Sequence, residues 1–299
     1  MKEEIGAVQQ AMERSGYIAN REIATAVYLS RQMKKPLLVE GDAGVGKTEL
    51  AKVLSVLLET DLIRLQCYEG LDVNTALYEW NYPRQLLQLK LSERNGKDPA
   101  EQEDLIFTEK YLLQRPLLRA IMQRSSPAVL LIDEIDRADD GFEAFLLELL
   151  SDYQVTIPEL GTVVAEHEPY VVLTSNNTRE IGDALRRRCL YLYIEHPTVD
   201  KEVRIIRSKV PGVSEHFAGE IARFMCRLRD RGLTKTPGAA ETIDWATALV
   251  TLHRDRLDVE VVQQTLGCIL KDRHDVRAVD ESVVAVLLES ASTAGASGG

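Results

Sequence analysis

The chain has 299 residues, 45% of them hydrophobic and 28% charged, with a formal net charge of −11 and a pI near 5.1. This is the profile of a globular chain able to bury a core, as one large domain or two ordinary ones. The acidic balance argues against a protein that binds polyanions as a whole, and no apolar run approaches the length of a membrane span. The start, "MKEEIGAVQQAMERSGY", is charged and amphipathic with no apolar h-region, so no signal peptide is expected. Cys67, Cys189, Cys226 and Cys268 stand far apart and form no CxxC pair. They read as reduced, buried thiols of a cytoplasmic protein.

In chain order, "PLLVE" (36–40), "LIRLQCY" (62–68), "AVLLID" (128–133), "YVVLTSN" (170–176) and "CLYLYIEH" (189–196) read as strands. Four are nearly continuous apolar runs, the pattern of strands covered on both faces. Helical patterns lie between them near 47–58, 73–94, 110–124 and 139–151. The alternation predicts an α/β fold, a five-stranded parallel sheet flanked by helices, over residues 1–196. Within it "YQVTIPELGTVVAEH" (153–167) alternates around a turn at Glu159 to Gly161 and predicts a β-hairpin. After Pro197 the segments 199–210, 214–231, 238–254, 258–271 and 275–290 all read helical, giving a smaller all-helical domain over 197–290. The end, "SASTAGASGG", predicts a disordered tail at about 291–299.

Residues 41–48 match the pattern G-x-x-x-x-G-K-[ST]. Gly41, Gly44 and Gly46 would let successive N–H groups turn inward on a phosphate, with Asp42, Ala43 and Val45 between them. The helix beginning near Lys47 aims its positive end at the same place, and Glu49 lies in its first turn. Lys47 supplies a full charge for the β- and γ-phosphates of ATP, and the Thr48 hydroxyl can ligate Mg2+. The context the pattern requires, a strand before and a helix after, is present.

"AVLLIDEIDRADD" supplies a second half. Asp133, at the end of an apolar strand, can hold the Mg2+ shell opposite Thr48. The adjacent Glu134 can polarise a water in line with the γ-phosphate, which a phosphotransfer kinase would not need. Further along, "VVLTSNNTRE" ends a strand with polar residues. Asn176 can hydrogen-bond the attacking water or the γ-phosphate, with Asn177 as its neighbouring competitor. "DALRRRCLYLYI" then places Arg186, Arg187 and Arg188 at the end of a short helix. An arginine projecting from one subunit can neutralise the transition state in its neighbour's site.

In this order the motifs resemble those of the AAA+ ATPases: Walker A (Gly41 to Thr48), Walker B (Val129 to Glu134), sensor 1 (Asn176), an arginine finger and a helical lid. Within that group "CYEGLDVNTALYEWNYPRQLL", "FTEKYLLQRPLLRAI", "LTSNNTREIGDALRRRCLY" and "TPGAAETIDWATAL" are similar to the MoxR family. They are most similar to its CoxD-like branch, accessory ATPases of carbon monoxide dehydrogenase maturation. The resemblance implies Glu134 as catalytic glutamate, Asp133 in the magnesium shell, Asn176 as sensor 1, Arg188 as finger with Arg187 second, and Ile18 of "GYIANREI" as an adenine contact. It implies a hexameric homo-oligomer, ATP and Mg2+ as cofactors, a partner with a von Willebrand factor A domain and a metalloenzyme client. It also implies an insertion within 70–110, and a pore- or partner-facing role for the hairpin. One departure stands out. Many relatives carry a sensor 2 arginine after a lid proline, whereas here Gly238 follows Pro237 and Lys235 is the nearby cation. A DNA-acting AAA+ motor or clamp-loader-like protein is the alternative that the acidic charge opposes. A nucleotide-gated binding module with little turnover is the alternative that the missing arginine favours.

Overall fold

The computed structural model describes residues 2–94 and 106–293. The chain divides into two compact units. The first comprises Met1–Val8, Glu22–Glu40 and Leu50–Leu192, and the second Gln9–Arg21, Gly41–Glu49 and Tyr193–Gly299.

In chain order, α1 (Lys2–Arg14) and α2 (Arg21–Met33) lead to β1 (Leu37–Glu40), α3 (Lys47–Leu57) and β2 (Leu62–Gln66). Next come α4 (Val73–Leu77), β3 (Tyr78–Trp80), α5 (Tyr82–Arg94), β4 (Leu112–Gln114) and α6 (Pro116–Ile121). Then follow β5 (Val129–Asp133), α7 (Asp140–Asp152), β6 (Gln154–Ile157), β7 (Gly161–Val164), β8 (Tyr170–Ser175), α8 (Asp183–Arg188) and β9 (Leu190–Tyr193).

The first unit is organised by a parallel sheet of five strands in the order β2-β5-β8-β1-β9. Every residue of β1 and β5 is buried, which is why those strands read as unbroken apolar runs. Leu38, Leu130, Ile132 and Leu173 of the sheet share one core with Leu117, Leu118, Phe142 and Leu146 of the helices. Truncating such a residue to alanine costs about 2–5 kcal/mol. Because the strands run the same way, their C-terminal ends share one edge. The registers Glu40↔Ser175 and Gln66↔Asp133 place those residues there. The opposite edge holds Pro36, whose carbonyl accepts from the N–H of Leu190.

Two helical segments are broken where continuous helix was expected. Over 73–94 the strand β3 intervenes, pairing antiparallel with β4 through Tyr78↔Gln114 and Trp80↔Leu112. The aromatics at 78 and 80 fit a pleated surface, and Trp80 is buried edge-on to Phe107 with ring centroids 5.3 Å apart. Over 110–124, α6 starts only at Pro116. A proline at the first helical position lacks a donor that the turn could not use, and it disfavours helix at the residue before it. Part of the 70–110 insertion expectation, residues 95–105, lies outside the described residues. β6 and β7 pair antiparallel from Gln154↔Val164 to Ile157↔Gly161.

The second unit contains α9 (Val199–Lys209), α10 (Glu215–Arg229), α11 (Ala239–Thr251), α12 (Val259–Ile269), α13 (Arg273–Ala278) and α14 (Glu281–Thr293). Phe217, Phe224, Trp245, Leu249 and Val262 form its core. The indole N–H of fully buried Trp245 donates to the Thr265 hydroxyl at 2.8 Å. Thr198, Ser214, Asp258 and Asp272 each accept a backbone N–H at the start of a helix, an arrangement worth about 1 kcal/mol apiece. The segment 275–290 is not one helix. Asp280 accepts from the Ser282 hydroxyl and the Val283 N–H, and it caps a new helix where α13 has ended. The expected tail falls partly on α14, and residues 294–299 lie outside the described residues.

Among the described residues no helix is long and apolar enough to cross a membrane. All four cysteines are free. Cys67 is buried, while Cys189, Cys226 and Cys268 are only half-buried, a correction to the expectation of four buried thiols.

Candidate active site

The loop Gly41–Gly46 belongs to the second unit. Gly41, Gly44 and Gly46 have φ of 150°, 76° and 99°, conformations that side chains resist and glycine adopts freely. Space adds to that demand at Gly41, where a Cβ would collide with the Ile194 carbonyl oxygen. Lys47, first residue of α3, is buried, and its ammonium donates to the carbonyls of Gly41 and Asp42 at 2.6 Å each. Asp42 faces the imidazole Nε2 of His196 at 2.9 Å. Tyr17 lies beside Gly46, 3.7 Å from where a Cβ would stand. Burial, then the charge of Glu49, drives the Tyr17 phenol far above its ordinary range. Ile18 follows in the non-helical stretch between α1 and α2 and is half-buried.

The donor set suits an anionic ligand. Three closely spaced positive-φ glycines leave the loop backbone uncovered by side chains at those positions, a helix begins at the loop's end, and a buried ammonium donates to two loop carbonyls. A phosphate would bring a full negative charge to that ammonium, where a carbonyl offers only a dipole. Taken separately, the Thr48 hydroxyl of the second unit and the buried Asp133 carboxylate of the first are each oxygen donors of the kind that Mg2+ takes alongside water and phosphate. Among the described residues no cluster of three His, Cys, Asp or Glu side chains forms a protein-only metal cage, which Mg2+ bound with a nucleotide would not need.

The acidic residues stand in the first unit, on the sheet edge that Glu40 shares. Asp133 is almost fully buried. Its Oδ1 accepts from the Thr174 hydroxyl at 2.5 Å, and its Oδ2 accepts from Arg64 Nε at 3.0 Å. Thr174 in turn accepts the backbone N–H of Glu134 at 2.9 Å. One hydroxyl on β8 therefore ties both acidic residues to the neighbouring strand. Glu134 has left-handed backbone, φ 56° and ψ 51°, so the chain turns sharply after the strand. Its carboxylate pairs with Arg137 at 3.2 Å and is partly exposed. Asp136, buried behind it, accepts the N–H groups of Asn176 and Thr178 and the Thr178 hydroxyl. That fixes the turn carrying Asn176, which is half-buried, whereas Asn177 at φ 58° is exposed. Beside them Cys67 stays a thiol, pushed up to about 12 by burial and then by Asp133, Asp136 and Glu134.

The three arginines of α8 separate clearly. Arg186 turns inward to Glu40 at 3.3 Å and lies over the Tyr191 ring, whose hydroxyl donates to the same carboxylate at 2.9 Å. Arg187 is exposed and faces Asp183 at 3.9 Å. Arg188 donates from Nε to the Leu150 carbonyl at 3.4 Å and lines a cavity of about 690 Å³ with Lys34, Lys35, Ser151, Tyr153 and Arg187. This cavity lies at the Pro36 end of β1, and Glu40 at the other end is about 13 Å away at ~3.3 Å per residue.

Residues 36–189, just over half of the chain, match the family described as AAA domain (dynein-related subfamily). The chain belongs to this AAA family. Two staphylococcal relatives, both described as uncharacterized proteins, align along most of the chain. One from Staphylococcus aureus (strain bovine RF122 / ET3-1) is 26% identical over 262 residues, 84% of this chain and 90% of its own length. One from Staphylococcus epidermidis is 24% identical over 258 residues, 83% of this chain and 89% of its own. Among solved structures, a RuvB mutant from Thermotoga maritima superposes with a TM-score of 0.50 at 18% identity, covering 88% of this chain and 70% of that one. At that identity the likeness shows the AAA fold alone.

Thr174 and Arg64 beside Asp133 in the first unit, and Tyr17 beside the glycine loop in the second, are residues that sequence reasoning missed. Thr174 lies inside the quoted "VVLTSN", and its polarity amid an apolar strand was the available signal.

Proposed function

We propose that this AAA chain is a Mg2+-dependent ATPase that acts as a ring of six copies and remodels a client protein. The observation that carries the reading is the shared sheet edge. Asp133 and Glu134 stand where β5 ends and Glu40 where β1 ends, on one edge of the sheet with β8 between the two strands, and Gly41 of the glycine loop follows Glu40 directly. In this reading the N–H groups of Asp42 to Gly46 and the Lys47 ammonium bind the phosphates. Thr48 and Asp133 would hold the magnesium ion, which neutralises charge developing on the phosphoryl oxygens. Glu134 takes a proton from water, and Asn176 orients that water. The Arg188 of a neighbouring copy neutralises the transition state, because its own sheet edge is the one opposite Asp133. Ile18 and Tyr17 border the loop on the side where adenine would lie.

The similarity of 67–87, 107–121, 173–191 and 236–249 to MoxR sequences supports a CoxD-like branch. It also supports a von Willebrand factor A domain partner and a metalloenzyme client in the cytoplasm. Residues 1–196 would then be the nucleotide-binding core and 197–290 the lid. A second reading, a nucleotide-gated binding module, draws on Arg64 against Asp133 and Arg137 against Glu134, since both acids are already paired with cations.

The test is steady-state ATPase activity against protein concentration, with mass measured in parallel. Activity that rises steeply as oligomers form supports the shared site. Concentration-independent turnover by a monomer removes Arg188 from the mechanism, and absence of turnover in assembled rings favours the binding module.

A further inference from the structure

Within the second unit the glycine loop is held by backbone from α11. The Gly44 carbonyl accepts the N–H of Ala240, in the first turn of that helix, at 3.2 Å. The approach is too close for side chains. A Cβ on Gly238 would stand 2.6 Å from the Ala43 carbonyl oxygen and 2.7 Å from the Gly44 carbonyl carbon. A Cβ on Gly44 would stand 2.8 Å from Glu241 Oε2 and 3.2 Å from the Gly238 Cα. Gly238 has φ −87°, which any residue adopts, so contact rather than conformation calls for glycine there.

The turn that presents Gly238 is rigid. Arg229 and Glu202, both buried, form a two-bonded ion pair, with Arg229 Nη1 donating to Glu202 Oε2 at 2.7 Å. The Arg229 Nε donates to the Pro237 carbonyl at 2.8 Å. Thr242 donates to Glu202 at 2.6 Å, and the Glu241 carboxylate accepts the Gly238 N–H at 2.9 Å. A bulkier residue at 238 could not be relieved by a shift of the turn alone, because these bonds would break with it.

We propose that Gly238 is a positioning residue for the phosphate loop: its side-chain-free contact with Ala43 and Gly44, with the Ala240 N–H to Gly44 bond, couples phosphate occupancy to the helices that follow Pro237. The contact with the loop runs backbone to backbone, and Arg229 holds the turn behind it. It rests on the reading of Gly41–Thr48 as a phosphate cradle.

The test uses the full chain, with a fluorescent ADP titrated in Mg2+ and hydrogen exchange followed at the amides of 239–241. In the wild-type chain ADP should slow exchange at Ala240. Gly238→Ala should weaken ADP about tenfold, within the usual range of coupling between sites, and abolish that slowing. Gly267→Ala on α12, where a Cβ meets nothing within 4 Å, should leave both readouts unchanged. Should Gly238→Ala fail to fold, Glu241→Ala loosens the same turn and should weaken ADP in the same direction. Glu241→Gln, which can still accept the Gly238 N–H, should restore it. Wild-type affinity and retained slowing in Gly238→Ala, or in Glu241→Ala where that variant stands in, overturn the proposal. Lys47→Ala run in parallel separates the two ideas, because wild-type ADP binding there would break the cradle reading instead.

Discussion

The two edges of the central sheet are built in opposite ways. At the C-terminal edge, carboxylates dominate: Glu40, Asp133, Glu134 and Asp136, all but Glu134 buried, with Asp133 tied to Thr174 and Arg64, Asp136 to the turn at Asn176, and Glu40 facing Arg186 at 3.3 Å. At the N-terminal edge, Lys34, Lys35, Arg187 and Arg188 outnumber Asp152 and Glu168 around an open cavity of about 690 Å³, where Lys34 pairs with Glu168 at 3.1 Å and Arg188 reaches the Leu150 carbonyl at 3.4 Å. An edge whose buried carboxylates are bonded to neighbouring strands and turns is suited to holding reacting atoms. An edge with largely exposed cations is suited to meeting charge that arrives from another molecule.

The sharpest way to break this contrast is Arg188→Ala. It should lower turnover about a thousandfold, as loss of a charge supplied across an interface does, with ATP affinity unchanged in a binding titration. Mixing that variant with Glu134→Gln should recover measurable activity, since some interfaces then pair an intact acidic edge with an intact basic one. Absence of recovery would place both groups in one copy. Glu134→Gln alone should cut turnover by about 10²–10⁴ while nucleotide still binds. Lys47→Ala should weaken ATP by roughly 10- to 100-fold, the worth of a charge-assisted bond, in the same titration. Thr174→Val leaves a buried carboxylate oxygen and the Glu134 N–H without their shared hydroxyl. It should cost about 1–3 kcal/mol in urea unfolding and reduce turnover with it. The smallest effect concerns pH. Folding raises the Cys67 pKa from 9.0 to about 12, so its contribution to stability is intact below pH 9 and is lost as pH rises towards 12. Cys67→Ala should flatten the stability profile in that window, and an unchanged slope would assign it to Tyr153 or Cys189, whose pKa values burial also pushes up to about 12.

The loop and the acidic strand end were legible because each is a local pattern with a fixed physical cause. Glycines at 41, 44 and 46 announce positive φ, and an apolar run closing on Asp133-Glu134 announces a strand end. What could not be read was set by tertiary contact. Arg64 reaches Asp133 across a strand register, and no spacing in the sequence encodes that register. The break at Tyr78–Trp80 was hidden because a three-residue strand inside helical periodicity has too few residues to shift the pattern. The departure at Gly238 was visible as a missing arginine, but its meaning as a point of backbone contact needed the fold.

Glu134 sits at φ 56°, a conformation that glycine or asparagine would accept with less strain. A library randomised at this one codon would therefore be pulled in two directions. Selected for heat resistance alone, it should drift towards the residues the backbone prefers. Selected for phosphate release from ATP, it should return to glutamate. The distance between those two winners would measure how much durability the chain gives up at a single position in order to work.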